Sequence, residues 1–199
     1  MESQNFTPQE SLQLISQVIE DAKTRFEENG FIYVFWGFLI AAVAFAQFIL
    51  LQNEYYAINW YPYFLVPFGV AFSMFYYMRK KKKTNTRNNQ ISTIISKIWI
   101  ALAINKMILG FVFAPMLAEN LSPIILILLA IGILVSAVAL KSNALFISSI
   151  FINIAGIVCF KVDWGYQSLI LGTVSLVAVA IPGLIMMRNY KRRNTVAAV

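Results

Sequence analysis

The chain of 199 residues contains no histidine and one cysteine, Cys159. Without histidine, neither a Ser-His-Asp nor a Cys-His catalytic unit can be assembled. Without a second thiol, one chain can build no disulfide and no cysteine-based zinc site. Carboxylates are scarce as well, with 9 Asp and Glu against 16 Lys and Arg. None of the nine falls inside a long apolar run, so the paired acids of general acid–base chemistry and proton relays are missing there. These absences predict no catalytic residue, no metal ligand set and no cofactor. A lipid-directed membrane enzyme would have only Glu54, Glu119 and Asp163 to draw on at one membrane face, and an enzymatic role is not expected.

What fills the chain instead is apolar. Hydrophobic residues make up 59% of it, and the mean hydropathy is +0.69. A soluble domain of this length could not hide that much apolar surface. A helix needs about 20 apolar residues to cross a ~30 Å hydrocarbon core. Six such spans are expected, at residues 31–51, 61–78, 97–117, 122–140, 143–160 and 165–187. The long block 121–160 is divided at Lys141-Ser142-Asn143 by a tight turn. The runs are continuously apolar rather than alternating, which speaks against a lipid-facing barrel. The fold class is therefore all-α: a six-helix membrane bundle in three successive hairpins, with no sequence repeat linking them.

Charge placement sets the orientation. The run Arg79-Lys80-Lys81-Lys82-Lys83 is the densest basic cluster. Placing it in the cytoplasm puts both termini there and gathers Lys97, Lys141, Arg188 and the other tail cations on the same side. Only Lys161 remains outside. Arg79 and Lys80 to Lys83 are expected to contact anionic lipid headgroups on the cytoplasmic side. A sequence pI of 9.6 has this membrane explanation, and nucleic acid is not an expected partner. Trp60, Tyr61, Tyr63, Trp164 and Tyr166 fit an outer aromatic belt, and Tyr33, Trp36, Trp99 and Tyr190 an inner one.

Residues 1–30 precede the first span and read as a cytoplasmic amphipathic helix. Thr7-Pro8-Gln9-Glu10 is a capping-box start and Asn29-Gly30 a stop. Leu12, Ile15, Val18, Ile19, Ala22 and Phe26 recur at helical spacing and form a docking stripe. That stripe can pack on the spans, on its twin in a homo-oligomer, or on a cytosolic protein partner. Residues 188–199 form a basic cytoplasmic tail.

Within the spans, Lys106 is the one charged residue, ~13 Å from the inner boundary. Its helical neighbours Ala103, Gly110 and Ala114 are small, which predicts that it points into the bundle. Asn105, Asn153, Ser149 and Ser175 lie at comparable depth, so a small polar core of Lys106 with these residues is expected. It could glue helices together or take an anion. Gly132 with Ser136 and Gly110 with Ala114 fit close helix packing.

The stretch Glu28-Asn29-Gly30-Phe31, then Trp36-Gly37, and the late Ile181-Pro182-Gly183 resemble a group of small bacterial six-span membrane proteins without assigned activity. The resemblance implies a bacterial cytoplasmic (inner) membrane location and carries over no ligand. The leading functional expectation is a non-enzymatic interaction or regulatory module using its N-terminal helix. The alternative is a small transporter or channel for an anion or amphiphile, organised around Lys106 and Asn153.

Overall fold

The computed structural model describes residues 8–28, 30–83 and 90–196. Among them the chain is helical throughout, with no strand. The elements are α1 (Pro8–Glu28), α2 (Gly30–Gln52), a 3-10 turn (Tyr61–Phe64), α3 (Leu65–Lys83), α4 (Gln90–Phe111), short α5 (Ala114–Leu117), α6 (Leu121–Ala139), α7 (Asn143–Cys159), α8 (Trp164–Ser175), a π-helical turn (Leu176–Ala180) and α9 (Ile181–Val196). The last three run on as one helix.

Four segments are long and apolar enough to cross a membrane: Gly30–Gln52, Thr93–Phe111, Leu121–Ala139 and Trp164–Arg192. Large apolar side chains stand uncovered around the bundle, among them Phe68 on α3 and Ile147 on α7. Both facts point to a membrane location. Two of the expected spans fall short of the length and composition of the other four. Helix α3 ends in Arg79–Lys83, and α7 has only 17 residues. The span placed at residues 97–117 is shifted. Its helix begins at Gln90 and stops at Phe111, because Pro115 lacks the N–H that an unbroken helix would use. The chain bends at Val112 and Phe113 before α5 begins.

The apolar block 121–160 folds as two helices. Leu140 to Ser142 turn between them, with Lys141 in the left-handed region at φ 49°. The Ser142 N–H donates to the Ala137 carbonyl at 2.9 Å, the six-to-one bond of a Schellman cap. The hairpin is closed by a heptad seam. Leu126, Ala130, Ile133 and Ala137 on α6 and Leu140 just after it are buried, as are Leu145, Ser149, Ile152, Gly156 and Cys159 on α7. Large and small residues alternate at spacings of four and three along both helices, which suits a close coiled-coil-like packing. A Cβ at Gly156 would stand 3.0 Å from Ile127 Cγ1, so the helices approach closely at this point.

The second close contact joins α2 to the last helix. A Cβ on Gly37 would lie 2.7 Å from the Ala180 backbone nitrogen, and one on Gly30 would lie 2.7 Å from the Gly183 carbonyl oxygen. From the other side, a Cβ on Gly183 would lie 2.8 Å from the Val34 nitrogen. Glycine is required here because the facing atoms are backbone and cannot yield. The two short motifs Trp36-Gly37 and Ile181-Pro182-Gly183, 144 residues apart in the chain, thus meet at one crossing.

A repeat links the first two hairpins, correcting the expectation that none does. Trp36 Nε1 donates to Ser73 Oγ at 3.0 Å, and Ser73 Oγ donates to the Gly69 carbonyl at 2.9 Å. Trp99 Nε1 donates to Ser136 Oγ at 3.0 Å, and Ser136 Oγ donates to the Gly132 carbonyl at 2.9 Å. A Cβ on Gly69 would press on Leu39, and one on Gly132 on Leu102. Trp36 and Trp99, Leu39 and Leu102, Gly69 and Gly132, and Ser73 and Ser136 are each 63 residues apart. The pairs α2/α3 and α4/α6 therefore share one clamp.

Candidate functional site

Of the polar residues expected to gather around Lys106, Ser149 and Asn153 share one groove, and among the described residues no hydrogen bond joins any of them to Lys106. Lys106 is half-buried on α4, and its Nζ lies 5.7 Å from the centroid of the Trp99 ring. That places the ammonium over an aromatic face, seven residues back along its own helix, a cation–π arrangement. Asn105, next in the chain, points outward, and its Nδ2 donates to the Ala101 carbonyl at 2.8 Å. Ser149 is a small residue of the α6–α7 seam, with its Oγ donating to the Phe146 carbonyl at 2.7 Å. Asn153 borders an open groove of ≈ 250 Å³ between α6 and α7, together with Ser149, Phe146 and Leu134. Ser175 is buried at the end of α8. Ser149 and Asn153, one turn apart, leave α7 on the same side, whereas Lys106 leaves α4 toward Trp99.

A polar cluster does assemble elsewhere, near the end of the bundle that carries the loop between α2 and the 3-10 turn. Its centre is Gln47 of α2. The Gln47 Oε1 accepts from Ser168 Oγ at 2.6 Å and from Tyr63 OH at 2.9 Å. The Gln47 Nε2 donates to Asn59 Oδ1 at 3.2 Å. Asn59 Nδ2 in turn donates to the Tyr56 carbonyl. Gln47, Asn59 and Ser168 are all buried. Beside them Gln167 donates through Nε2 to the Val162 carbonyl at 3.1 Å, while its Oε1 has no hydrogen-bond partner among the described residues. Three consecutive segments, α2, the loop that follows it and the 3-10 turn, are tied at this point to the distant α8. Every member is a neutral amide or hydroxyl. Such a network fixes geometry, since each buried polar group needs its partner in place. Gln47 and Gln167 are the sequence signal for it, being amides in or beside apolar runs at the same end of the bundle.

The N-terminal stripe divides along α1. Ala22 is 1% exposed against the bundle, where the helix meets α9 and α4. Val18 and Ile19 are half-buried, whereas Leu12 and Ile15 are 67% and 55% exposed. Thr7 and the side chain of Phe26 lie outside the described residues. Arg79, the first of the basic run, is exposed with its guanidinium 4.1 Å from the centroid of the Phe75 ring. The side chains of Lys80, Lys81, Lys82 and Lys83 lie outside the described residues.

Comparison with protein-family models, with curated proteins and with solved structures yields no match to the chain.

Proposed function

We propose that the chain is a six-span membrane protein acting as a non-enzymatic interaction or regulatory module, with α1 as its docking element. The common clamp supports counting α3 as a span beside α2, since the same contact joins the two long apolar helices α4 and α6. Helix α7 turns back along α6 and precedes a long apolar helix, which supports counting it as the fifth. Arg79, Lys97, Lys141 and Arg188 then share one face with both termini. By the positive-inside rule that face is cytoplasmic, in a bacterial inner membrane as the motif resemblance implies, with Arg79 and its neighbours at anionic headgroups.

The observation that carries the docking role is the half-covered stripe of α1. Its second half is held on the bundle through Ala22, while Leu12 and Ile15 are offered to whatever lies beyond. A helix anchored at one end with free apolar side chains at the other fits recognition of a groove on a cytosolic protein. Cross-linking in native membranes, read by mass spectrometry, tests it. A cytosolic protein joined to the wild-type chain should be lost from Leu12→Asp/Ile15→Asp while membrane insertion is kept. An identical cross-link profile for the two chains would reject the docking role.

A further inference from the structure

The clamp shared by α2/α3 and α4/α6 allows the two first helices to be compared position by position. On α2, Gly37, Ala41 and Phe45 form the stripe turned to the last helix. Gly37 abuts Ala180, and the Phe45 ring occupies the space that a Cβ on Gly172 would need. The residues 63 positions later on α4 are Ile100, Ile104 and Ile108. Within one chain these are 60%, 54% and 42% exposed. The fold thus covers this stripe in its first copy and leaves it open in the second. Beside the open stripe stands Asn105, about 18 Å along a roughly 28 Å span beginning at Thr93. One of its two N–H groups is spent on the Ala101 carbonyl. The other, and the Oδ1 oxygen, have no hydrogen-bond partner among the described residues.

We infer that the outer stripe of α4, with Asn105 at its edge, docks on the same stripe of a second copy of this chain. An amide carries both a donor and an acceptor, so it is its own complement. A two-fold axis along the membrane normal sets each residue opposite its twin at equal depth. Each Asn105 carbonyl then accepts the free N–H of the other. Hydrogen bonds of this kind hold transmembrane helices together where lipid offers no partner. Charge is consistent with a like copy: Ile100, Ala101, Ile104 and Ile108 carry none, and Lys106 is turned away over Trp99. Ala101, one turn before Asn105, lets the two backbones approach. The inference is independent of α1 and of what α1 binds.

The full-length chain in phosphatidylethanolamine–phosphatidylglycerol vesicles tests this by oxidative cross-linking of single cysteine additions. Cys159 is fully buried and serves as a silent background. Ala101→Cys and Ile108→Cys should give disulfide dimers. Phe68→Cys on α3 and Ile147→Cys on α7, equally outward on other faces, should stay at the wild-type background. Adding Asn105→Leu to Ile108→Cys should lower the dimer yield about fivefold, as loss of one membrane hydrogen-bonded pair predicts, and Asn105→Gln should retain it. Three results would each overturn the inference. They are yields at Phe68 or Ile147 that match those at Ala101 and Ile108, no effect of Asn105→Leu, and a chain that stays monomeric at every protein-to-lipid ratio by single-molecule photobleaching.

Discussion

Helices α2 and α4 each send a tryptophan N–H to a serine 37 residues on, and each presses a leucine against a glycine one turn before that serine. Yet α2 is buried against the last helix through Gly30 and Gly37, while α4 at the matching positions carries Thr93 and Ile100, both exposed. The difference shows that the clamp and the crossing are separate devices. The clamp orients two neighbouring helices. The crossing needs missing side chains on both partners, and only the first copy has them. At Gly110, the counterpart of Gln47, an added Cβ would meet nothing within 4 Å. The polar cluster therefore also belongs to one copy alone.

The sharpest way to break this comparison is to place one side chain at both matched positions. Gly37→Leu forces a side chain into the backbone at Ala180, an overpacking of about 3 kcal/mol or more. Ile100→Leu at the matched site should change stability by less than about 0.5 kcal/mol. Unfolding by denaturing detergent from mild micelles reads both. Equal effects would mean that the crossing is not what distinguishes the copies.

A smaller effect is expected at the polar cluster. Gln47→Leu leaves Asn59, Tyr63 and Ser168 without their shared partner and should cost about 1–3 kcal/mol in the same assay. Gly110→Gln on α4 should be close to neutral, because its space is open. The smallest contrast separates the two clamps themselves. Ser136→Ala removes the acceptor of Trp99 at a fully buried site and should cost about 1–2 kcal/mol. Ser73→Ala, at a half-buried site, should cost about half as much. The tryptophan emission of the two variants should report which ring has lost its acceptor.

Much of the helical architecture can be read from the chain. The turn at Lys141 and the long apolar runs follow from length, breakers and hydropathy. The polar sites were less legible. Lys106, Asn153 and Ser149 share a depth, but depth is one coordinate of three. Ser149 follows the heptad of Leu145 and Ile152 into the α7 seam, and Lys106 follows Trp99. The repeat escaped for a related reason. Apolar residues interchange freely in lipid, so hydropathy hides a shared contact, and only residues with a specific job, Trp, Leu, Gly and Ser at a fixed interval, disclose it. The spacing of Gly132 and Ser136 was visible as a packing signal. Its twin at Gly69 and Ser73 gains meaning only once the matching tryptophans are seen to bond to each serine.

The π-helical turn at Leu176–Ala180 carries a consequence for the whole last helix. Such a turn holds one residue more than its α-helical equivalent, which advances everything after it by about 100° around the axis. It ends just before Pro182, whose ring would otherwise collide with a carbonyl of the preceding turn. The inserted residue is thus a phase setting. It allows Gly172 before the turn and Ala180 at its end to face α2 together, the first against Phe45 and the second against Gly37. It also fixes the azimuth at which Arg188, Lys191 and Arg192 leave the bundle. In this helix, angular timing decides which side of the protein the basic end addresses.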